Sequence, residues 1–176
     1  MSAMSILKGT KVEISQELLD EAYAIGKQRH IYNRSRHIQD QQRTGASWYQ
    51  VDGEGVCGEM AFAQLIDAPN SEWEKIRTVS AKSVANKSDF GDCVYLGKSI
   101  DVKTTKYEFG NLIIVNSKLT NLADAYALMT GFRGVYNFRG VILKDTIIKR
   151  LHEFEHHHTN SVWIDQKFLT HLPKLT

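Results

Sequence analysis

The chain is poor in cysteine, in net charge and in long apolar runs, and each shortage excludes a class of protein. Two cysteines in 176 residues are too few for a disulfide scaffold. Cys57 and Cys93 belong to no Cys-x-x-Cys motif, so both read as reduced, buried thiols. No run of about 18 apolar residues occurs, so no membrane-spanning helix and no membrane partner is expected. The opening residues, Met-Ser-Ala-Met-Ser-Ile-Leu-Lys-Gly-Thr-Lys, lack the apolar core of a secretory signal, and a cytoplasmic location is expected. Charge is nearly balanced, with 22 Lys and Arg against 20 Asp and Glu, a net charge of +2 and a pI near 8.5. A polyanion site must therefore come from local clustering. Internal repeats and linkers are also lacking, so residues 1–176 are expected to form one domain with a full core.

What remains is an ordinary globular composition, 42% apolar and 24% charged. Residues 15–34 read as a helix, with Ser15 as N-cap and Leu18, Leu19, Ala22 and Ile25 at helical spacing. Its second half turns basic: Lys27, Arg29, His30, Arg34, Arg36, His37 and Arg43 stand against a single acid, Asp40. These cations suit either a helix dipole or phosphate contact. Residues 38–53 read as a polar loop, with Trp48 and Tyr49 as packing anchors or as rings for a base. Residues 54–67 read as a buried helix ended before Pro69. Val56, Phe62, Ala63 and Ile66 share one stripe of it, and Glu59 lies on that stripe. A carboxylate there is costly unless it is paired or holds a metal; the alternative is an early-turn acid favouring the dipole.

Residues 71–87 are ambiguous between helix and strand. Residues 111–116 form a short apolar run expected to be a buried third strand, and 125–130 and 140–143 are further apolar runs. The glycine- and aromatic-rich stretch between those two reads as a turn region. Asp145 is expected to cap a short helix to Leu151, and residues 162–172 a final strand or turn and a short helix. The biased patch His-Glu-Phe-Glu-His-His-His at 152–158 could bind a transition metal. Three adjacent histidines, His156 to His158, cannot all ligate one ion from a regular element, so a solvated loop is expected.

The stretch around which the chain is organised is 88–107, two β-rich runs flanking Gly97-Lys98. A two-residue turn with Gly first fits type II′. That register sets Val94 opposite Asp101 and Asp92 opposite Lys103. Residues two apart on a strand share a face, so Asp92, Asp101 and Lys103 fall on one face and Ile100 and Val102 on the other. Two carboxylates and a lysine on one face suit a hard divalent cation and a phosphate. The alternative is a solvated hairpin face carrying a surface ion pair.

Glu59 on a helix, Asp92 at a strand start and Asp101-Val102-Lys103 on the next strand resemble the PD-(D/E)XK nuclease superfamily. The resemblance covers roughly residues 54–115, with a looser match of spacing to about residue 172. It implies an α/β restriction-endonuclease-like fold, a mixed central sheet flanked by helices. It implies that Asp92, Asp101 and Glu59 hold Mg²⁺, with Mn²⁺ able to substitute, and that Lys103 assists hydrolysis of DNA phosphodiesters. Gly91 stands where the superfamily's name has Pro. Asp89 competes for the first acid, but the assumed register sets it opposite Lys106 on the other face. The basic clusters supply the expected DNA contacts, Arg29, Arg34, Arg36, Lys106, Arg133 and Arg139. The alternative function is a nucleic-acid-binding domain of the same fold without catalysis; self-association is left open.

Overall fold

The computed structural model describes residues 5–35, 48–79, 91–157 and 160–173. They form a mixed α/β structure. Its helices are α1 (Gln16–Ser35), α2 (Trp48–Leu65), α3 (Asn70–Arg77) and α4 (Lys144–Arg150). The strands are β1 (Ser5–Ile6), β2 (Lys11–Glu13), β3 (Cys93–Tyr95), β4 (Lys98–Thr105), β5 (Leu112–Val115), β6 (Ala125–Phe132), β7 (Val135–Leu143), β8 (Glu155–His157), β9 (Ser161–Ile164) and β10 (Leu172–Pro173). The main sheet has five strands in the order β2-β7-β6-β4-β3. Only β4 and β6 run parallel; the other neighbours are antiparallel. A second, antiparallel sheet has the order β5-β9-β8, and β1 pairs with β10.

Both faces of the main sheet are covered. That is why β6 reads as an unbroken apolar run, with Ala125 through Thr130 all buried. One face packs on α2: Val56, Met60 and Phe62 meet Ile100, Val102, Ala127, Met129 and Phe138. The other face packs on the second sheet and α4, where Leu112, Ile114, Val162, Ile164 and Ile147 close over Tyr126, Leu128 and Ile142.

The helix expectations hold for α1, where Ser15 Oγ accepts the Leu18 N–H at 3.2 Å as an N-cap should. Helix α2 begins at Trp48, six residues before the expected start, so residues 48–53 are helical and not loop. The cause is tertiary. Gly26 of α1 lies so close to α2 that a Cβ on it would sit 2.4 Å from the Gly53 nitrogen. Glycine is a poor helix former. Here the pair lets two helices touch backbone to backbone, and the packing outweighs the propensity. The ambiguous stretch resolves as α3 over its first part, and residues 80–90, Asp89 among them, lie outside the described residues.

Several other expectations change. The run at 112–115 is buried as expected but belongs to the second sheet, paired with β9. The supposed turn region at 131–139 is mostly strand: β6 and β7 form a hairpin whose turn is Arg133-Gly134, both at positive φ. The His patch is strand from Glu155, the edge strand β8, and His158 lies outside the described residues. Helix α4 carries Asp145 in its first turn but takes Leu143 as N-cap, with no side-chain cap.

Candidate active site

The hairpin that carries the candidate acids turns at Leu96-Gly97, one residue earlier than expected. Tyr95 pairs with Lys98, Val94 with Ser99 and Cys93 with Ile100. Leu96 and Gly97 both have positive φ, +53° and +72°, so the turn has the signature of type I′ and not II′. Val94 therefore faces Ser99 instead of Asp101, and Asp92, whose N–H reaches the Ile100 carbonyl, is not opposite Lys103. The slip moves every partner by two positions along β4. Because side chains alternate with period two, Asp101 and Lys103 keep their face.

On β4, Ile100 and Val102 look toward α2, while Asp101 and Lys103, level with Tyr126 and Leu128 of β6, look toward the second sheet. Asp101 is only 4% exposed. A buried carboxylate needs compensating charge, and two lysines supply it. Lys103 Nζ stands 2.5 Å from Asp101 Oδ1, and Lys118 Nζ 3.4 Å from Oδ2. Lys103 also lies over the Tyr126 ring, 5.8 Å from its centroid. Both lysine side chains remain partly open to solvent, so the cluster can be reached from outside. Lys118 comes from a 3₁₀ turn at Asn116–Lys118 after β5. The Asn116 N–H donates to the Asn160 carbonyl at 2.8 Å, which ties that turn to the second sheet.

Asp92 joins the cluster from the sheet edge. Its N–H donates to the Ile100 carbonyl at 2.7 Å, although Cys93 is the partner of Ile100. The ladder is thus bulged at Asp92. Gly91, at φ +70°, turns the chain aside there, and a Cβ on it would strike the Ile100 backbone at 2.6 Å. The Asp92 carboxylate takes over as ladder acceptor: Oδ2 receives the Val102 N–H at 2.6 Å. Strand N–H groups lie in the sheet plane, so this oxygen lies there too. Bond lengths then place it within about 5.5 Å of the Asp101 Cα. Asp92, Asp101, Lys103 and Lys118 are thus assembled around one stretch of β4. The oxygen donors are two carboxylates with no thiol or imidazole among them, a hard set of the kind Mg²⁺ takes, with waters completing the shell. Among the described residues no three His, Cys, Asp or Glu side chains converge as a metal cage.

Glu59 is buried as the pattern required, 8% exposed. It lies on the α2 side of the sheet, and its partner is Arg29 of α1. Arg29 Nη1 reaches both carboxylate oxygens at 3.0 Å and Nη2 reaches Oε2 at 3.1 Å. Nη2 also donates to the Ile76 carbonyl of α3 at 2.6 Å. The pair ties α1, α2 and α3 together. Arg29 is therefore committed within the core and is not offered to a phosphate. Arg139 is likewise engaged, through Nε to Thr130 Oγ1 at 2.6 Å and Nη2 to Glu108 at 3.4 Å. Arg34, Lys106 and Arg133 are exposed and available. Arg36 lies outside the described residues.

Two features escaped the sequence reading. Lys118 reaches Asp101 only because a second sheet covers β4, and no local pattern announces that. Glu54 is a hub between α2, α1 and the β6–β7 turn. It accepts hydrogen bonds from Tyr23 Oη, from Tyr136 Oη at 2.5 Å and from the Arg133 N–H at 3.1 Å. Desolvation, aided by this carboxylate, raises the pKa values of Tyr23 and Tyr136 above the usual phenol range. Desolvation also pushes the neighbouring Cys57 thiol up to about 12.

A family described as a family of unknown function (DUF5843) matches residues 5–138. That span holds Glu59, Asp92, Asp101, Lys103 and Lys118. No curated protein and no solved structure matches the chain.

Proposed function

We propose that this chain, which belongs to the DUF5843 family of unknown function, is a Mg²⁺-dependent nuclease with a restriction-endonuclease-like core. One observation carries the reading: Asp101 and Lys103 share a face of β4, an interior strand, with an Asp92 oxygen beside them in the sheet plane. Asp92 and Asp101 are the residues that would hold the ion. When bound, the ion supplies an acidified water and neutralises charge on the scissile phosphate. The protein's own part is positioning. Lys103 is held over Tyr126 and against Asp101, and its ammonium would donate to a non-bridging oxygen of a phosphate bound beside Asp101. There it stabilises the charge that grows as water attacks phosphorus and the P–O bond to the leaving sugar oxygen breaks. Lys118 adds a second cation on the open side. Exposed Arg34, Lys106 and Arg133 supply longer-range attraction for the phosphate backbone.

A second reading, nucleic-acid binding without chemistry, is favoured by the two ion pairs on Asp101, which balance its charge without a metal. Cleavage assays separate the two. Purified protein is incubated with circular and linear DNA and with RNA, with Mg²⁺, with Mn²⁺ and with EDTA. The nuclease reading expects metal-dependent cleavage that Asp101→Asn abolishes and Lys103→Ala slows by about 10² or more, with binding in EDTA retained. Binding by the wild type without cleavage of any substrate favours the second reading. Cleavage by both variants at the wild-type rate sinks the assignment of these residues.

A further inference from the structure

The segment between β4 and β5 carries two strongly exposed aromatic rings. Phe109 is 85% exposed and Tyr107 is 65% exposed. Rings on a loose loop would mean little, but this loop is pinned. The Tyr107 N–H donates to Thr105 Oγ1 at 3.3 Å, and the Gly110 N–H to the Tyr107 carbonyl at 3.0 Å. Gln166 Nε2 clamps it from the second sheet's side, donating to the Glu108 carbonyl at 2.8 Å and the Gly110 carbonyl at 2.9 Å. The backbone is thus held at four points while two rings stay in water.

The loop also leaves directly from the strand that carries Lys103. At strand spacing, Tyr107 is no more than about 14 Å along the chain from Lys103. Lys106 lies between them, its Nζ 5.3 Å from the Tyr107 centroid. Exposed rings on a pinned backbone, with cations beside them, suit a single nucleic-acid strand: bases stack on the rings and phosphates follow the charges. A continuous duplex buries its base faces and cannot use such rings.

We propose that Tyr107 and Phe109 form a stacking platform for unpaired bases, which makes single-stranded nucleic acid, or a strand opened at an end or a branch, the preferred ligand of the Lys103–Lys118 site. The proposal rests on the nucleic-acid reading above. The test measures anisotropy of a labelled single-stranded DNA oligonucleotide, its RNA counterpart and the matching DNA duplex, all in EDTA so that nothing is cleaved. Tyr107→Ala and Phe109→Ala should each weaken binding of the single strands about fivefold or more, and leave duplex affinity within about twofold. Phe109→Trp provides a direct signal: its added emission should be quenched by the single strand and not by the duplex. Equal losses on single strand and duplex, or no loss on either, overturn the platform and leave the Asp101–Lys103 reading standing. A wild type that binds none of the three overturns both. Loss with DNA alone or with RNA alone upholds the platform and assigns its strand type.

Discussion

Gly58→Ala is the sharpest test of how the sheet is covered. Gly58 sits where α2 crosses β4, and a Cβ there would meet Thr104 Oγ1 at 1.8 Å and both Thr104 Cβ and Cγ2 at 2.9 Å. Rotating the Thr104 side chain exchanges its two branches but leaves its Cβ in place, so no rotamer relieves the clash. Helix and strand must part by roughly 1 Å to restore ordinary carbon contacts of about 3.5–4.0 Å. Overpacking of this kind costs about 1–3 kcal/mol, and because both sides are backbone-fixed the upper half of that range applies. Alanine's better helix propensity returns about 1 kcal/mol. The net expectation is a loss of about 1–2 kcal/mol, read as a lower urea midpoint with unchanged slope and a fall in Tm of about 2–8 °C. Thr104→Ala provides the control. The Thr104 hydroxyl is buried with no hydrogen-bond partner, so its removal alone should cost little. In the Gly58→Ala background it removes the two branches and should restore about 1 kcal/mol, a coupling that distant sites do not show. A Gly58→Ala protein as stable as the wild type, or more so, would refute this contact between α2 and β4.

Arg29→Ala strips the two-pronged partner from buried Glu59 and should destabilise by about 3–5 kcal/mol, measured by urea titration; a loss under about 1 kcal/mol would show that the pair does not tie the three helices. Arg29→Met with Glu59→Met should recover most of that stability, and DNA cleavage by this double variant at the wild-type rate would show that Glu59 is no part of the catalytic set. Stability should also fall in alkali: the folded Cys57 thiol keeps its proton to about 12, while its ordinary value is 9.0. Below pH 9 neither state ionises, and between 9 and about 12 the unfolded state alone does, so stability is lost as pH rises through that window. Tyr23 and Tyr136, both raised, extend the loss to higher pH. Midpoints unchanged from pH 8 to 11 would contradict the burial of these groups.

The local patterns were legible in the residue order. Ser15 followed by apolar residues at helical spacing marks α1, and the apolar run from Val56 marks α2 as a buried helix with Glu59 inside it, though 56–63 are buried on every side and not on one stripe. The alternation along β4 separates Asp101 and Lys103 from Ile100 and Val102. That separation survived an error in the turn, because a slip of two along the partner strand preserves the face. These features depend on neighbours a few residues away, and periodicity records them. Long-range contact decided the rest. The turn fell on Leu96-Gly97, both at positive φ, and nothing local made Leu96 an obvious choice. Helix α2 grew back to Trp48 because Gly53 meets Gly26 across the bundle. Arg29 was drawn from the expected phosphate surface into the core by a carboxylate 30 residues away. Lys118 reached Asp101 because a separate sheet lies over β4. A basic side chain reads the same in sequence whether it ends in solvent or beside a buried acid, and only the packing of distant elements sets which it does.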